Sequence, residues 1–232
     1  GRFMVTLVHS LKGFTVPPDE LLVTALLLNV ALIIFSWRRH AQLSTELVQR
    51  SQAEDEARKL SVTDPLTGCL NRRSLTEAAD AMIADSAETD QGVALMMVDI
   101  DNFKQVNDFH GHAAGDKILC QCVERISSVL PQGALMARLG GDEFACVMQY
   151  SLAQQVRIDE LAGGILAAIG QPLNLGGLNV EPTVSIGIAR TASVKGQHGV
   201  DSHALLHRAD IAMYHAKTHG KARHFWFDAP ME

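Results

Sequence analysis

The sequence is poor in the features that define several classes of protein. Its 232 residues include only four cysteines, 5% aromatic residues and 20% charged residues. The four cysteines are irregularly spaced and match no zinc pattern, so we expect reduced thiols in a cytosolic compartment rather than a disulfide scaffold. A collagen-like chain and a disordered polyanion are also excluded, because 47% of the residues are hydrophobic and can build a core.

The chain also lacks an excess of positive charge. Twenty Lys and Arg residues stand against 26 Asp and Glu residues, which gives a formal net charge of −6. A general nucleic-acid binder needs a basic face, so a nucleic-acid polymer is disfavoured as a partner. A small anionic substrate remains compatible with this charge, because a few local cations or a metal ion can hold one.

Long apolar runs are absent except near the amino terminus. Residues 21–35 contain 13 apolar residues out of 15 and no charged residue. Trp37 follows as an interfacial aromatic residue, and Arg38 and Arg39 are placed to mark the cytoplasmic side of a membrane. We therefore expect a transmembrane helix over residues 21–37, with a buried or interfacial helix as the alternative.

The rest of the chain divides by composition into a linker and a domain. Residues 1–20 precede the apolar run, and residues 229–232 form a short tail. Residues 38–62 are polar and favour a helix, which is either a solvated connector or a short parallel coiled coil of about two heptads. Residues 63–228 have the length of one globular domain with its own core.

Within the domain, apolar runs and helical spacing alternate. Asp64 and Pro65 predict the start of a helix, with Asp64 as its N-cap. The elements expected after this start are a helix to Ala84, a strand over 93–98, a helix over 115–130, strands over 134–139 and 144–150, a helix over 152–169, a strand over 180–189, a helix over 202–219 and a strand over 225–227. This order predicts an α+β, ferredoxin-like antiparallel sheet with helices packed on one face.

Two acidic clusters stand at the ends of predicted strands. Asp99 and Asp101 end the first core strand, and Asp142 and Glu143 occupy the tip of the central hairpin. If the two strands are neighbours, Asp99 and Asp142 reach the same edge of the sheet. Clustered carboxylates need cations, and Mg²⁺ accepts carboxylate oxygens together with substrate phosphates. An acidic hairpin alone is more often a solvated turn than a site.

Five ordered motifs accompany these clusters. They read DPLTGCLNRR (64–73), DIDNFKQVNDFHGHAAGD (99–116), RLGGDEF (138–144), SIGIA (185–189) and ADIAMYHAKTHG (209–220). Together they resemble the GGDEF family of diguanylate cyclases over about residues 61–228. The resemblance implies a nucleotidyl-cyclase palm-type fold and the condensation of two GTP molecules into cyclic di-GMP with release of pyrophosphate. It also implies Mg²⁺, or Mn²⁺ in its place, and a homodimer in which each domain holds one GTP.

The resemblance assigns roles residue by residue. The implied metal ligands are Asp99, the Ile100 carbonyl, Asp142 and Glu143, and Glu143 is also the candidate for activating the 3′-hydroxyl. The implied guanine-binding pair is Asn107 and Asp116, because an amide and a carboxylate can pair with the guanine edge and adenine would leave both mismatched. The implied phosphate-binding groups are the backbone around Phe103 and the side chains of Lys104, Lys217 and Lys221.

The sequence departs from the family pattern in two places. Residues 131–134 lack the Arg and Asp of the RxxD product-binding site, which predicts no product inhibition through that site. Lys221 stands where the family usually has Arg, so charge is retained and bidentate geometry is lost.

The sequence leaves two functions open. The leading one is a cyclase anchored in a bacterial inner membrane by residues 21–37, with its GGDEF domain in the cytoplasm. However, residues 227–232 resemble the junction at which many GGDEF domains continue into an EAL phosphodiesterase domain. The alternative is therefore a catalytically silent GTP-binding module that regulates an adjoining EAL domain.

Overall fold

The chain divides into two units, residues 1–60 and residues 61–232. The computed structural model describes residues 23–40, 42–43, 62–87, 89, 91–151, 156–175, 177, 179–191, 200–228 and 231. In the first unit, residues 23–40 form a helix. Most of the linker predicted over residues 38–62, including its coiled-coil alternative, lies outside the described residues.

The membrane span predicted for residues 21–37 is not supported. Among the described residues, no helix has both the length and the apolar character needed to cross a bilayer.

The second unit contains eight strands and five helices within its described residues. The strands are β1 (Leu70–Asn71), β2 (Gln91–Ile100), β3 (Leu135–Gly140), β4 (Glu143–Ser151), β5 (Leu173–Asn174), β6 (Asn179–Val180), β7 (Val184–Arg190) and β8 (His224–Trp226). The helices are α1 (Arg72–Ala87), α2 (Phe103–His110), α3 (His112–Val129), α4 (Val156–Ile169) and α5 (Ser202–Thr218).

Six of these strands form one sheet in the order β1-β3-β4-β2-β7-β8, and β5 pairs with β6 separately. The inner order β3-β4-β2-β7 is antiparallel throughout and matches the predicted ferredoxin-like arrangement. The prediction of a wholly antiparallel sheet is wrong at both edges, where β1 and β8 pair in parallel with their neighbours. The sheet is therefore mixed.

Helices cover both faces of this sheet. From β2, Met96 and Val98 belong to one core cluster with residues of α3 and α4. Leu95 and Met97, which alternate with them, belong to a second cluster with residues of α1 and α5. The prediction of helices on one face is wrong because a continuous apolar strand is buried on both sides, whereas a half-solvated strand would alternate with polar residues.

The chain enters the domain through a turn rather than a helix. The Asp64 carboxylate accepts hydrogen bonds from the Thr67 N–H at 2.9 Å and from the Thr67 hydroxyl at 2.7 Å. The following helix, α1, is capped instead by Asn71, whose Oδ1 accepts from the Ser74 N–H at 2.8 Å. The predicted N-cap at Asp64 is wrong because an aspartate makes the same local hydrogen bond in a turn as in a cap.

Strand β7 and helix α5 are in close contact at Gly187, and this contact sets the distance between the sheet and the helix. A Cβ atom at Gly187 would overlap the backbone of Ala209 and Met213. We predict that Gly187→Ala lowers the free energy of unfolding by at least about 3 kcal/mol, because backbone atoms cannot move aside as a flexible side chain can. Urea unfolding followed by circular dichroism measures this change.

Gly163 in α4 provides a matched control for this substitution, since no atom lies within 4 Å of the position its Cβ would take. Gly163→Ala should raise stability by up to about 1 kcal/mol through helix propensity. Similar effects of the two substitutions would contradict the packing explanation.

Candidate active site

One edge of the sheet gathers three carboxylate residues. Asp99 on β2 pairs in register with Glu143 on β4 and with Ser185 on β7. The Ile100 N–H donates a hydrogen bond to the Asp142 carbonyl oxygen at 3.3 Å. The predicted adjacency of the two strands is confirmed, and it brings Asp99, Asp142 and Glu143 to the same edge.

Asp99 is the buried member of this group. Its side chain is 8% exposed, and its Oδ2 lies 2.8 Å from the Lys217 Nζ in the last turn of α5. Burial, and to a lesser extent the negative charges of Asp142 and Glu143, raise the pKa of Asp99 to about 6 although Lys217 opposes the shift. Ionised Asp99 is therefore stable only with a positive charge beside it.

The tip of the hairpin between β3 and β4 is held by Arg138. Its Nε and Nη2 donate to the Gly141 carbonyl at 3.0 and 2.7 Å. Its Nη1 lies 3.2 Å from the carboxylate of Asp64 in the entry turn. Burial opposes ionisation of Asp64, but hydrogen bonds from Thr67 and Arg138 outweigh it and lower the pKa of Asp64. Arg138 thus ties the entry of the domain to the acidic turn.

Asp101 organises the loop that follows α5. Its buried carboxylate accepts hydrogen bonds from the Ser185 hydroxyl at 2.7 Å, the Thr183 hydroxyl at 2.8 Å and the Ala222 N–H at 3.2 Å. Lys221 and Ala222 both adopt left-handed backbone conformations, with φ of 60° and 48°. Because non-glycine residues rarely adopt this conformation, the loop needs such fixed hydrogen bonds.

The start of α2 lies beside Lys221. The Lys221 Nζ donates to the Asn102 Oδ1 at 2.6 Å, and Asn102 is the N-cap residue of α2. Phe103 packs into the core, and Lys104 is exposed. Within the described residues, no acceptor pairs with the N–H groups of Phe103 or Lys104. Free N–H groups at a helix start and a nearby ammonium group favour an anion.

A second polar feature lies between α2 and α3. The Asn107 Oδ1 is buried and has no hydrogen-bond partner among the described residues. It occupies the space beside Gly115, where a Cβ atom would overlap it. Asp116, the next residue on α3, is exposed. A buried oxygen without a donor costs free energy, so a ligand that donates a hydrogen bond there would be favoured.

An open groove adjoins the acidic edge, which is the end of the sheet that carries Asp99, Asp142 and Glu143. The volume of this groove is about 860 Å³, within the range of small-molecule sites. Its lining consists of Glu143, His207, Asp210, Ile211, Met213, Tyr214, His215, Lys217 and Met231. The Glu143 carboxylate also lies 3.9 Å from the Arg72 guanidinium, and both side chains are substantially exposed. The groove therefore gives a ligand access to Glu143 and Lys217.

The carboxylates do not form a complete metal cage. In the described parts of the chain, no group of three or more His, Cys, Asp and Glu side chains is arranged to hold a metal ion. Mg²⁺ commonly takes one or two carboxylates and completes its ligands with water and substrate phosphates. The edge therefore suits an ion that arrives with a phosphate ligand rather than one held by protein alone.

The predicted site residues fall into two groups in the structure. The acidic edge contains Asp99, Ile100, Asp142, Glu143 and Lys217. The α2 region contains Phe103, Lys104, Asn107 and Asp116, with Lys221 at its start. Sequence reasoning missed the positioning contacts of Asp64, Arg72, Asp101 and Arg138. All four lie inside the quoted motifs. Asp64 was expected only as an N-cap and Asp101 only as part of an acidic cluster, whereas Arg72 and Arg138 were given no role. No local pattern indicates that Arg72 lies near Glu143.

The domain is thus an α+β fold in which the hairpin that carries Asp142 and Glu143 lies beside the buried Asp99. The family described as "Diguanylate cyclase, GGDEF domain" matches residues 61–223. The chain belongs to this GGDEF family.

Relatives and solved structures agree with the family. Diguanylate cyclase TpbB of Pseudomonas aeruginosa is 38% identical over 159 residues, covering 68% of this chain and 35% of TpbB. Cyclic di-GMP phosphodiesterase PdeR of Escherichia coli is 34% identical over 187 residues, covering 81% of this chain and 27% of PdeR. The chain thus spans about a third or less of each curated relative's length.

Two solved structures extend the comparison to the fold. The GGDEF domain of TpbB is 35% identical with a TM-score of 0.67, covering 73% of this chain and 96% of that chain. The GGDEF domain of DgcB from Caulobacter crescentus, in complex with cyclic di-GMP, is 29% identical with a TM-score of 0.65, covering 72% of this chain and 95% of that one.

The pKa of Asp99 predicts how stability depends on pH when no metal is added. Because the folded protein holds this proton with a pKa of about 6, against 3.8 for an ordinary Asp, the stabilisation present below about pH 4 is lost as pH rises to about 6. The loss amounts to at most about 3 kcal/mol. Urea unfolding in EDTA at pH 4.5 and 7.5 measures it.

Asp99→Asn is the matched variant for this measurement because it cannot ionise. Its free energy of unfolding relative to the unsubstituted protein should rise between the two pH values. An unchanged difference between the two proteins would show that Asp99 does not titrate in this range.

Proposed function

We propose that this domain is an active diguanylate cyclase, which condenses two GTP molecules into cyclic di-GMP and releases pyrophosphate. The observation that carries the proposal is the convergence of Asp99, Asp142 and Glu143 at an edge that also holds Lys217. Carboxylates and a lysine suit phosphoryl transfer, in which positioning and charge neutralisation supply most of the catalysis.

Mg²⁺, or Mn²⁺ in its place, is the cofactor that this edge would hold. Its oxygen ligands would come from Asp99, the Ile100 carbonyl, Asp142 and Glu143, with substrate phosphates completing the set. The fit rests on Asp99, a buried carboxylate whose ionised form requires an adjacent positive charge. When bound, the ion would neutralise charge on the reacting phosphates.

The phosphates of GTP are proposed to bind between the two groups of site residues. The unpaired N–H groups of Phe103 and Lys104 lie at the start of α2, where an anion is favoured. Lys221 reaches the same helix start through Asn102. Lys217 and the exposed side chain of Lys104 would add positive charge to balance the triphosphate.

The guanine base is proposed to bind at Asn107 and Asp116. The buried Asn107 oxygen lacks a donor, and guanine carries N–H donors on its edge. The exposed Asp116 carboxylate can accept a second N–H of the same base. Adenine would present a mismatched edge to both acceptors, so this pair supports GTP rather than ATP as the substrate.

The reaction is proposed to need a homodimer, since each domain would hold one GTP. The 3′-oxygen of one GTP attacks the α-phosphorus of the other, the bond to pyrophosphate breaks, and the reciprocal attack closes the ring. Glu143 would take the 3′-hydroxyl proton or ligate metal, and its position on the groove gives it access to a ligand. A helical linker between two copies would raise their local concentration.

The alternative is a catalytically silent GTP-binding module that regulates an EAL phosphodiesterase domain. One observation favours it: the chain aligns with only 27% of a relative whose name is cyclic di-GMP phosphodiesterase PdeR. The presence of Asp99, Asp142 and Glu143 at one edge supports catalysis over silent binding.

Cellular location also remains a proposal, namely the bacterial inner membrane with the domain in the cytoplasm. Membrane flotation of the chain, with and without residues 21–37, tests it. Recovery of both forms in the membrane-free fraction would contradict membrane attachment through that segment.

Incubation of the purified chain with GTP and Mg²⁺ tests the proposed activity. We predict formation of cyclic di-GMP and pyrophosphate, quantified by chromatography, and a loss of at least about a thousandfold in rate for Asp142→Ala, because charge at the reacting phosphates is then unbalanced. Asp85→Ala, which removes an exposed carboxylate of α1, is the control and should retain the rate. Tight GTP binding without product would favour the regulatory function.

Guanine recognition predicts a separate effect for the residue beside Asn107. Gly115→Ala should weaken GTP binding about tenfold or more, because the added methyl group displaces the Asn107 amide from the base. Isothermal titration calorimetry measures the change, and Gly163→Ala in α4 controls for the substitution itself. Equal GTP affinity in both variants would remove Asn107 from the binding site.

A further inference from the structure

Lys217 contacts the buried carboxylate of Asp99. Its Nζ lies 2.8 Å from the Asp99 Oδ2, within the range of a direct charge-assisted hydrogen bond. Asp99 is the most buried carboxylate of the acidic edge, whereas Glu143 is 38% exposed. The lysine therefore supplies the charge that keeps this carboxylate ionised within the folded domain.

An ammonium group and a divalent cation compete for this carboxylate. Both are attracted to the same carboxylate, which Lys217 contacts at Oδ2. Two positive charges a few ångströms apart repel each other strongly in a poorly solvated site. Within the described residues, no group of three or more His, Cys, Asp and Glu side chains is arranged to hold an ion by itself. Binding of a metal ion to Asp99 therefore favours departure of Lys217.

Lys217 has room to move away from Asp99. Its side chain is 32% exposed and lines the groove of about 860 Å³ that also reaches Glu143. The backbone of α5 stays fixed because it packs directly on β7 at Gly187. Four rotatable bonds allow the ammonium group alone to turn toward the groove.

We propose that Lys217 is an exchangeable internal counter-ion. It neutralises Asp99 before a divalent cation binds, and it leaves Asp99 for the substrate phosphates when the cation arrives. This inference rests on the proposed function and makes Lys217 a positioning residue that links two binding events. Metal binding without nucleotide is weakened by the lysine, whereas nucleotide phosphates give the displaced ammonium a new partner and strengthen metal binding.

Mn²⁺ binding to the nucleotide-free full chain tests the exchange, with free Mn²⁺ measured by electron paramagnetic resonance. Lys217→Met should bind Mn²⁺ about tenfold more tightly than the unsubstituted protein, because the competing ammonium group is gone. Lys117→Met is the matched control, since Lys117 is an exposed lysine of α3 that has no assigned role in the site. It should change the affinity by less than about twofold.

Asp99→Asn separates failure of the inference from failure of the proposed function. If Mn²⁺ binding depends on Asp99 but Lys217→Met binds no more tightly than Lys117→Met, the exchange is refuted and the metal site stands. If Mn²⁺ binding is absent from all proteins or is indifferent to Asp99→Asn, the metal site and the exchange both fail.

A second measurement uses the unsubstituted protein and so does not depend on a variant folding. Labelling of Lys217 by an amine-reactive reagent at fixed pH, quantified by mass spectrometry, should become several-fold faster on addition of Mn²⁺. The exposed Lys104 serves as the internal reference. Unchanged labelling of Lys217 at saturating Mn²⁺ would overturn the exchange.

Discussion

The candidate active site is built around one carboxylate that lies in a poorly solvated place. Asp99 is the penultimate residue of β2, which has a strand on each side and helices over both faces of the sheet. Its ionised form needs a cation, and the nearest one comes from α5. That helix reaches Asp99 only because Gly187 lets it approach β7 closely. The Asp99–Lys217 ion pair therefore depends both on the register of the sheet and on Gly187.

The α2 region also contains a buried polar group that lacks a partner among the described residues. Asn107 keeps a buried oxygen without a donor, just as Asp99 keeps a buried charge with a single counter-ion. Both features reduce the stability of the ligand-free domain and favour a ligand that supplies what is absent. By contrast, Asp101 has three donors and belongs to the scaffold. Hydrogen-bond satisfaction thus distinguishes supporting residues from ligand-binding ones.

Sequence patterns predicted the inner sheet well because local composition encodes it. The run VALMMV identified β2, and the glycines before Asp142 identified the hairpin. Contacts between distant residues were not predictable in this way: Asp64 and Arg138 are 74 positions apart, and Asn102 and Lys221 are 119 apart. The turn at Asp64 was misassigned because its hydrogen bonds resemble those of an N-cap. The motifs supplied the candidate site residues, while only the fold revealed the contacts that these residues make.

The outermost strands of the sheet, β1 and β8, are only two and three residues long. Unpaired strand edges attract one another and promote aggregation, and short edges present few backbone groups for such pairing. Short edge strands therefore limit aggregation when two copies of the domain are held at high local concentration, as the proposed homodimer requires. Two copies can then associate through their proposed active sites without pairing their edge strands into one continuous sheet, so the association stays reversible.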